Sequence, residues 1–269
     1  PLFLNLFNNF ETKIILRISG KPKLNFMRHF FWSLALKKIY KITFPTKETL
    51  EYFISLDLVP KNKLHLLYDP IISSKEINYK TKKAEIKDFD YNNKKYFLAI
   101  GRLTKQKNFK FLIECFERLI LKDKSINLLI LGEGEEFNTL KNLTNKLNIN
   151  NNVLFLGYKN NVFKYLDKCD AFILSSLWED PGFVILEAMY CNTFVISSDC
   201  QSGPKEIISL NRGLTYENNS KEDFLKKLNE FKNLSTNQKF EIKYNAKRFT
   251  KNFSLLNHYK TLDSLLINE

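Results

Sequence analysis

Glycine and proline are scarce, 8 and 7 in 269 residues. That composition excludes collagen-like and linker-like chains. No apolar run reaches the roughly 18 residues that a membrane-spanning helix needs. The opening Pro1-Leu2-Phe3-Leu4-Asn5 lacks a charged n-region and a small-residue cleavage site, so no secretory signal is expected. It also lacks an initiating Met, and the expectation is an N-terminally truncated chain. Cysteine is limited to Cys115, Cys169, Cys191 and Cys200, with no Cys-x-x-Cys pair and no close His. Neither a zinc site nor a disulfide framework is implied, and reduced thiols in a cytoplasmic protein are expected. Arginine is scarce too: only six of the 42 basic residues.

Apolar residues make up 44% of the chain and aromatics 14%, enough to bury one or two cores and to exclude disorder. The net charge is +13. Residues 1–95 carry 18 bases and 9 acids, a net +9, and residues 96–269 carry 24 and 20, a net +4. Such an excess attracts nucleic acid, anionic lipid or an anionic substrate. A lysine-rich solvated face accounts for it equally well. Abundant Lys, Asn, Ile and Phe also suggest a coding bias toward these residues.

No internal repeat is visible. Short, nearly continuous apolar runs predict strands at Ile14–Leu16, Ile42–Phe44, Leu64–Leu67, Tyr96–Ile100, Leu128–Leu131, Val153–Leu156, Ala171–Leu174 and Phe194–Ile196. Helical spacing recurs between them, as in Phe109, Leu112, Ile113 and Phe116, and again in Phe224, Leu225, Leu228 and Phe231. Strand and helix alternate from Tyr96 onward, which predicts a parallel α/β sheet with helices on both faces. The polar stretch 73–95 reads as an interdomain connection. The last stretch, 236–268, reads as two helices broken near Asn252-Phe253-Ser254, with Ser254 as N-cap.

Chemistry concentrates where strands end. Gly101 and Arg102 follow one strand, and Lys107-Asn108 opens the next helix. Parallel sheets bind ligands at the carboxyl ends of their strands. A helix N-terminus there favours an anion, and an Arg and a Lys across the loop suit a diphosphate. Gly132-Glu133-Gly134 follows the next strand, either to let backbone approach a ligand or simply to turn tightly. The richest segment runs from Ser175 to Met189, where Glu179 and Glu187 stand eight positions apart around Pro181-Gly182. Glu187 falls inside the helix of Phe183, Val184, Ile185 and Leu186. A carboxylate in that company needs a donor, either a ligand diol or a lysine of the fold. A fourth strand–glycine–helix junction is Asp199-Cys200-Gln201-Ser202-Gly203-Pro204-Lys205-Glu206.

Gly101-Arg102-Leu103 with Lys107-Asn108, Gly132-Glu133-Gly134, Phe155-Leu156-Gly157, Glu179 and Glu187, and Ser198 to Ile207 occur in an order and spacing that resembles the group 1 retaining glycosyltransferases of GT-B fold. That large family includes bacterial lipopolysaccharide, capsule and lipid-linked oligosaccharide enzymes. The resemblance covers about residues 96–269. It implies two Rossmann-like domains with parallel sheets, the first of them incomplete here. The implied organisation is a partial acceptor-side domain over 1–72, a linker over 73–95, a donor domain over 96–250, and a helix over 251–269 that returns to the first domain. The implied donor is a UDP-linked hexose or N-acetylhexosamine, and the acceptor a glycan or a lipid-linked sugar. Arg102 and Lys107 would hold the diphosphate, while Glu179 with the backbone of Gly182, Phe183 and Val184 would hold the sugar. Glu187 would bind the ribose, and the backbone near Tyr158 would meet the uracil, with Gly101 and Gly132 beside it. Retention on one sugar face needs no protein nucleophile, no metal and no cofactor beyond the donor.

The chain departs from the family pattern in places. Relatives usually carry a His where this chain reads Arg17-Ile18-Ser19-Gly20, and Asn before Pro where it reads Asp69-Pro70; no catalytic base is therefore assigned. Asp88-Phe89-Asp90 spells a metal-binding motif of another glycosyltransferase fold, but no strand precedes it, and it reads as coincidence. Phe26–Tyr40 reads either as an amphipathic helix packed on its own sheet or as one lying on an anionic membrane. The latter suits a peripheral protein at the inner face of the plasma membrane. A nucleic-acid-binding protein would need bases and aromatics on one surface, and no such motif occurs.

Overall fold

The computed structural model describes residues 12–22, 25–82, 89–90, 95–201 and 203–267. Two compact units share the chain. One comprises residues Pro1–Pro70 with Leu255–Glu269, and the other Ile71–Ser254.

The first unit runs β1 (Ile15–Arg17), α1 (Phe26–Leu36), β2 (Lys41–Phe44), α2 (Lys47–Ser55) and β3 (Leu64–Leu66). The strands pair in parallel in the order β1-β2-β3. Asn25 caps α1 by accepting from the Arg28 N–H, and Thr46 caps α2 by accepting from that of Thr49. Ile39, Ile42, Phe44 and Phe53 form the core with Leu36. Only the last turns of α1 join it: Leu36 is buried and Trp32 packs on Phe53. Phe26 is 90% exposed, and Met27, Phe30 and Phe31 are exposed beside it. The helix therefore packs on its sheet by one narrow stripe and leaves a wider apolar stripe open.

The two departures from the family pattern meet in this unit. Arg17 donates from Nε to Asp69 Oδ1 at 2.7 Å and from Nη2 to Oδ2, a two-pronged contact across 52 residues.

The second unit opens with a helix where the sequence reads as a polar connection: α3 (Ser74–Lys82). Its composition hid it, because a single apolar residue, Ile77, is buried on it. It packs against α6, below. The remainder of the proposed linker lies mostly outside the described residues, as does Asp88 of the Asp-x-Asp sequence.

Then follow β4 (Phe97–Ile100), α4 (Phe109–Lys122), β5 (Leu128–Leu131), α5 (Phe137–Lys146), β6 (Val153–Phe155), α6 (Phe163–Lys168), β7 (Ala171–Leu174), α7 (Phe183–Tyr190), β8 (Val195–Ser198), α8 (Pro204–Ile208), β9 (Leu214–Tyr216), α9 (Lys221–Asn233) and α10 (Thr236–Phe249). All pairings are parallel, in the order β6-β5-β4-β7-β8-β9. This is the doubly wound order, reversing between β4 and β7. Strand β9 escapes the sequence reading because Leu214-Thr215-Tyr216 is too short to show a period. Helix α4 buries Phe109, Leu112, Ile113 and Phe116 on the sheet, while Phe224, Leu228 and Phe231 of α9 join the same core. That is the predicted spacing at work.

The final helix, α11 (Leu255–Ile267), belongs to the first unit. Its His258 ring bonds the Tyr68 carbonyl at 2.7 Å. Its apolar residues are only partly covered. Leu262 and Leu265 are half-buried, but Leu255, Leu256 and Tyr259 are exposed. The turn bearing His258 and Leu262 faces inward instead. Ser254 lies just ahead of this helix, in extended backbone.

Candidate active site

The reversal between β4 and β7 opens a crevice at the strand ends, and both richest motifs empty into it. Gly101 and Arg102 leave β4, and Ser175 to Glu179 leave β7. These loops are stitched to each other by hydrogen bonds. The Ser175 hydroxyl donates to the Lys107 carbonyl at 2.7 Å, and the Leu177 N–H to the Gln106 carbonyl at 2.8 Å. Gln106 Nε2 returns a bond to the Trp178 carbonyl at 2.8 Å. The loop after β8 is tied in as well, through Ser198 Oγ to the Ser176 carbonyl at 2.7 Å.

At the centre Lys107 Nζ donates to Glu179 Oε1 at 2.6 Å. The Ser176 hydroxyl donates to the same oxygen. The Lys107 side chain is 14% exposed and that of Glu179 6%. Lys107 ends a short 3₁₀ turn, Lys105–Lys107, and Asn108 follows in the left-handed region at φ 52°. That backbone aims the lysine back across the crevice. Arg102 is exposed at the rim and makes no ion pair among the described residues.

The glycines after β5 bear on the alternative left open by sequence. A Cβ on Gly132, at φ 135°, would sit 1.9 Å from the Gly101 carbonyl oxygen, and one on Gly134 2.4 Å from that of Leu103. Both are small because a neighbouring loop passes close, a reason beside the two that the sequence left open. Gly203 is small for the same reason, its absent Cβ lying 2.2 Å from the Pro181 carbonyl oxygen. Ser202, in the same motif, lies outside the described residues.

A cleft of about 560 Å³ joins these parts. Gly101, Arg102, Lys107, Tyr158, Glu179, Gly182, Phe183, Val184 and Glu187 all line it. Gly132 lines an adjoining hollow of about 370 Å³ that shares Gly101, Arg102 and Tyr158. Such volumes suit a nucleotide-sized ligand. Gly182, at φ 84°, begins α7, so the first-turn N–H groups of Phe183 and Val184 lie at the cleft without carbonyls one turn earlier. The Tyr158 ring is exposed, and its N–H points to Glu133 Oε1 at 3.4 Å.

Glu187 sits one turn into α7, half-buried. Burial raises its pKa above the usual carboxylate value, and the field of Lys80 opposes that rise. Its carboxylate has no hydrogen bond or ion pair among the described residues. Lys80, Glu76 and Ser73 come from α3 and the residue before it, and line the same cleft. Sequence reasoning missed them, since a polar segment with one buried apolar residue carries no period to read. The cysteines stand apart from this chemistry: all four are unpaired, and burial pushes Cys200 up to about 11 and Cys115 and Cys191 up to about 12. They are thiols at neutral pH, as inert buried cysteines are. Among the described residues no cluster of His, Cys, Asp and Glu is placed to hold a metal.

Residues 81–249 match the family of glycosyl transferases group 1. The chain is 30% identical over 262 residues to the N-acetylgalactosamine-N,N'-diacetylbacillosaminyl-diphospho-undecaprenol 4-alpha-N-acetylgalactosaminyltransferase of Campylobacter jejuni, covering 93% of this chain and 69% of that enzyme. An uncharacterized glycosyltransferase of Methanocaldococcus jannaschii is 48% identical over 112 residues, 42% of this chain. The match spans only 28% of that archaeal protein. The crystal structure of Anabaena HepE in complex with UDP and glucose superposes with a TM-score of 0.74 at 16% identity, covering 96% of this chain and 72% of that one. The shared architecture is the GT-B one of two units with parallel sheets.

Proposed function

The chain belongs to the glycosyl transferases group 1 family, and from that premise we propose that it moves a hexose or N-acetylhexosamine from a UDP-sugar, with retention, to a lipid-linked or polysaccharide acceptor in bacterial surface glycan synthesis. The observation that carries this reading is the crevice between β4 and β7. It gathers Arg102 and Lys107, Glu179 and Glu187, and a helix N-terminus at the place where a doubly wound sheet binds nucleotides. The UDP in the HepE crystal and the diphospho-undecaprenol acceptor in the Campylobacter enzyme's name are in keeping with it.

In this reading the donor's diphosphate lies between Arg102 and Lys107. Lys107 exchanges its Glu179 partner, in part, for phosphate oxygens. Departure of the diphosphate builds negative charge, and cations positioned at the crevice lower the barrier to it. That charge compensation makes a metal unnecessary and leaves the UDP-sugar as the only small molecule required. The acceptor hydroxyl attacks from the face the diphosphate leaves, and its proton passes to the leaving phosphate. Glu179, with the first-turn N–H groups of α7, would hold the sugar hydroxyls, and Glu187 the ribose diol. Holding donor and acceptor together supplies the rest.

The acceptor side rests on the first unit. Its α1 stripe of Phe26, Met27, Phe30 and Phe31 is exposed, with Arg28 among them. An apolar stripe beside cations suits the surface of an anionic leaflet. No helix among the described residues is long and apolar enough to cross a membrane. The proposed place is therefore cytoplasmic and peripheral, on the inner face of the plasma membrane, without nucleic acid as a partner. Calorimetry with UDP, followed by transfer assays over a panel of UDP-sugars with a lipid-diphosphate acceptor, tests the proposal. Binding of UDP with micromolar to millimolar affinity is expected, and no UDP binding at all would end it.

A further inference from the structure

Helix α3 forms a wall of the cleft that no motif of the chain announced. Its Lys80 lines the cleft together with Glu187 of α7. The α3 helix is not loosely placed: it packs on α6, which in turn packs on α7. Asn161 ties its last turn down, with Nδ2 donating to the Lys80 carbonyl at 2.8 Å. The Lys80 ammonium is drawn to one side by Glu76 Oε1 at 2.5 Å, one turn back. Its Nζ also lies over the Phe163 ring, 5.7 Å from the centroid. The lysine is thus held at the cleft by three elements while its side chain stays 35% exposed.

We propose that Lys80 is a positioning residue whose charge, on the opposite wall of the same cleft and without an ion pair to Glu187, readies the Glu187 carboxylate for the ribose diol of the nucleotide. The inference rests on the reading of Glu187 as the ribose ligand.

The charge balance around Glu187 supports this role. Other groups stand about the cleft and α7: Glu76 on α3, Lys159 before α6, Glu179 and Asp180 before α7, and Arg102 and Lys107 after β4. Behind it are Cys191, Asp167 on α6 and Lys247 on α10. Lys107 is committed to Glu179. Lys80 is the cation whose field acts on Glu187, against the desolvation that favours its neutral form. A carboxylate accepts two ribose hydroxyls with charge assistance; a carboxylic acid loses that assistance. Without Lys80 the Glu76 carboxylate would also lose its neutralising partner on the same helix.

The test is calorimetry with UDP from pH 5.5 to 8.5 on the 269-residue chain and its variants Lys80→Met, Lys80→Arg, Glu187→Gln and the Lys80→Met/Glu187→Gln double. Titration of the UDP phosphate is common to all and cancels in the ratio to the parent chain. Lys80→Met is expected to bind within about twofold of the parent at pH 8.5 and roughly tenfold more weakly at pH 5.5, the scale of one charged hydrogen bond. Lys80→Arg should restore the parent profile. In the Glu187→Gln background, Lys80→Met should change no pH dependence. Equal weakening at every pH, or a loss that persists in the Glu187→Gln background, would show Lys80 touching the ligand itself and overturn the inference. If Glu187→Gln weakens UDP binding while Lys80→Met leaves the profile unmoved, this inference alone fails. Undiminished UDP binding by Glu187→Gln removes the ribose reading and the inference with it.

Discussion

Glu179 and Lys107 are each nearly out of water, so each depends on the other. Removing one partner of a buried pair strands the other charge and costs about 3 kcal/mol. Glu179→Ala should therefore lower the melting temperature of the ligand-free protein. It should still bind UDP, because the stranded ammonium gains a phosphate partner, and the rise in melting temperature on adding UDP should equal or exceed the parent's. Sugar transfer should fall. A loss of UDP binding in this variant would place Glu179 on the nucleotide. Lys107→Ala and Arg102→Ala act at the other side of the balance and should each cost about 10²–10³ in turnover, with EDTA without effect. Strict dependence on a divalent cation would mean these cations are not the main clamp. Glu187 carries a linkage of its own sign. Its folded pKa is raised, so the folded chain holds more protons there than the unfolded chain, and stability falls as pH rises through that window. Glu187→Gln should then raise the ligand-free melting temperature at neutral pH while weakening UDP binding. Thermal melts at acid and neutral pH would show the gain confined to the latter.

The loops at the strand ends form one element in practice, since each is shaped to its neighbour's backbone. Gly132 is the clearest instance: a methyl group there meets a carbonyl oxygen at 1.9 Å, at a φ of 135°. Gly157 has a positive φ of 68°, but a Cβ there would make only an ordinary contact, 3.6 Å from Glu133 Oε1. Gly132→Ala should cost more than about 3 kcal/mol by urea melts, because backbone must move. Gly157→Ala should cost only the roughly 1–2 kcal/mol of a left-handed residue. Comparable losses would mean the loops give way easily. The Glu-x7-Glu spacing shows how an element turns sequence distance into geometry. Gly182 starts α7 between the two glutamates, so Glu179 stays in the loop facing Lys107 while Glu187 rises one turn along the helix toward α3. The glutamates could be read from sequence; their different partners could not.

At the scale of the molecule, charge and exposed apolar area divide unevenly. The first 95 residues hold net +9, and the open α1 stripe lies among them. Sedimentation with phosphatidylglycerol vesicles should capture the chain at low salt and lose it as salt rises, since exposed charges are screened within about 10 Å at 0.1 M. Phe26→Ser with Phe30→Ser should reduce capture about tenfold or more, while UDP affinity stays as it was. Equal capture of the variant would assign the binding to charge alone. In the same unit the two stretches where the sequence departs from the resemblance, Arg17–Gly20 and Asp69-Pro70, are joined by the Arg17–Asp69 ion pair, a relation that only the folded chain displays.

What the sequence determined by itself was the second unit's alternation of strands and helices, since buried parallel strands and amphipathic helices carry opposite periods. It also located Gly101, Arg102, Lys107, Glu179 and Glu187, which line one cleft, because polar and glycine residues interrupt the apolar runs abruptly. Tertiary structure alone decided that β4 and β7 are neighbours, since strand order depends on side-to-side pairing between residues as far apart as Phe97 and Ala171. It decided that the glycines after β5 serve loop against loop. It made a wall of the cleft from α3, whose polar sequence has no period, because that helix is held by one buried isoleucine and by contacts with elements far along the chain. It also decided which cation answers which carboxylate, Lys107 for Glu179 across 72 residues and Lys80 for Glu76 one turn away, since a lysine's reach is set by the packing around it.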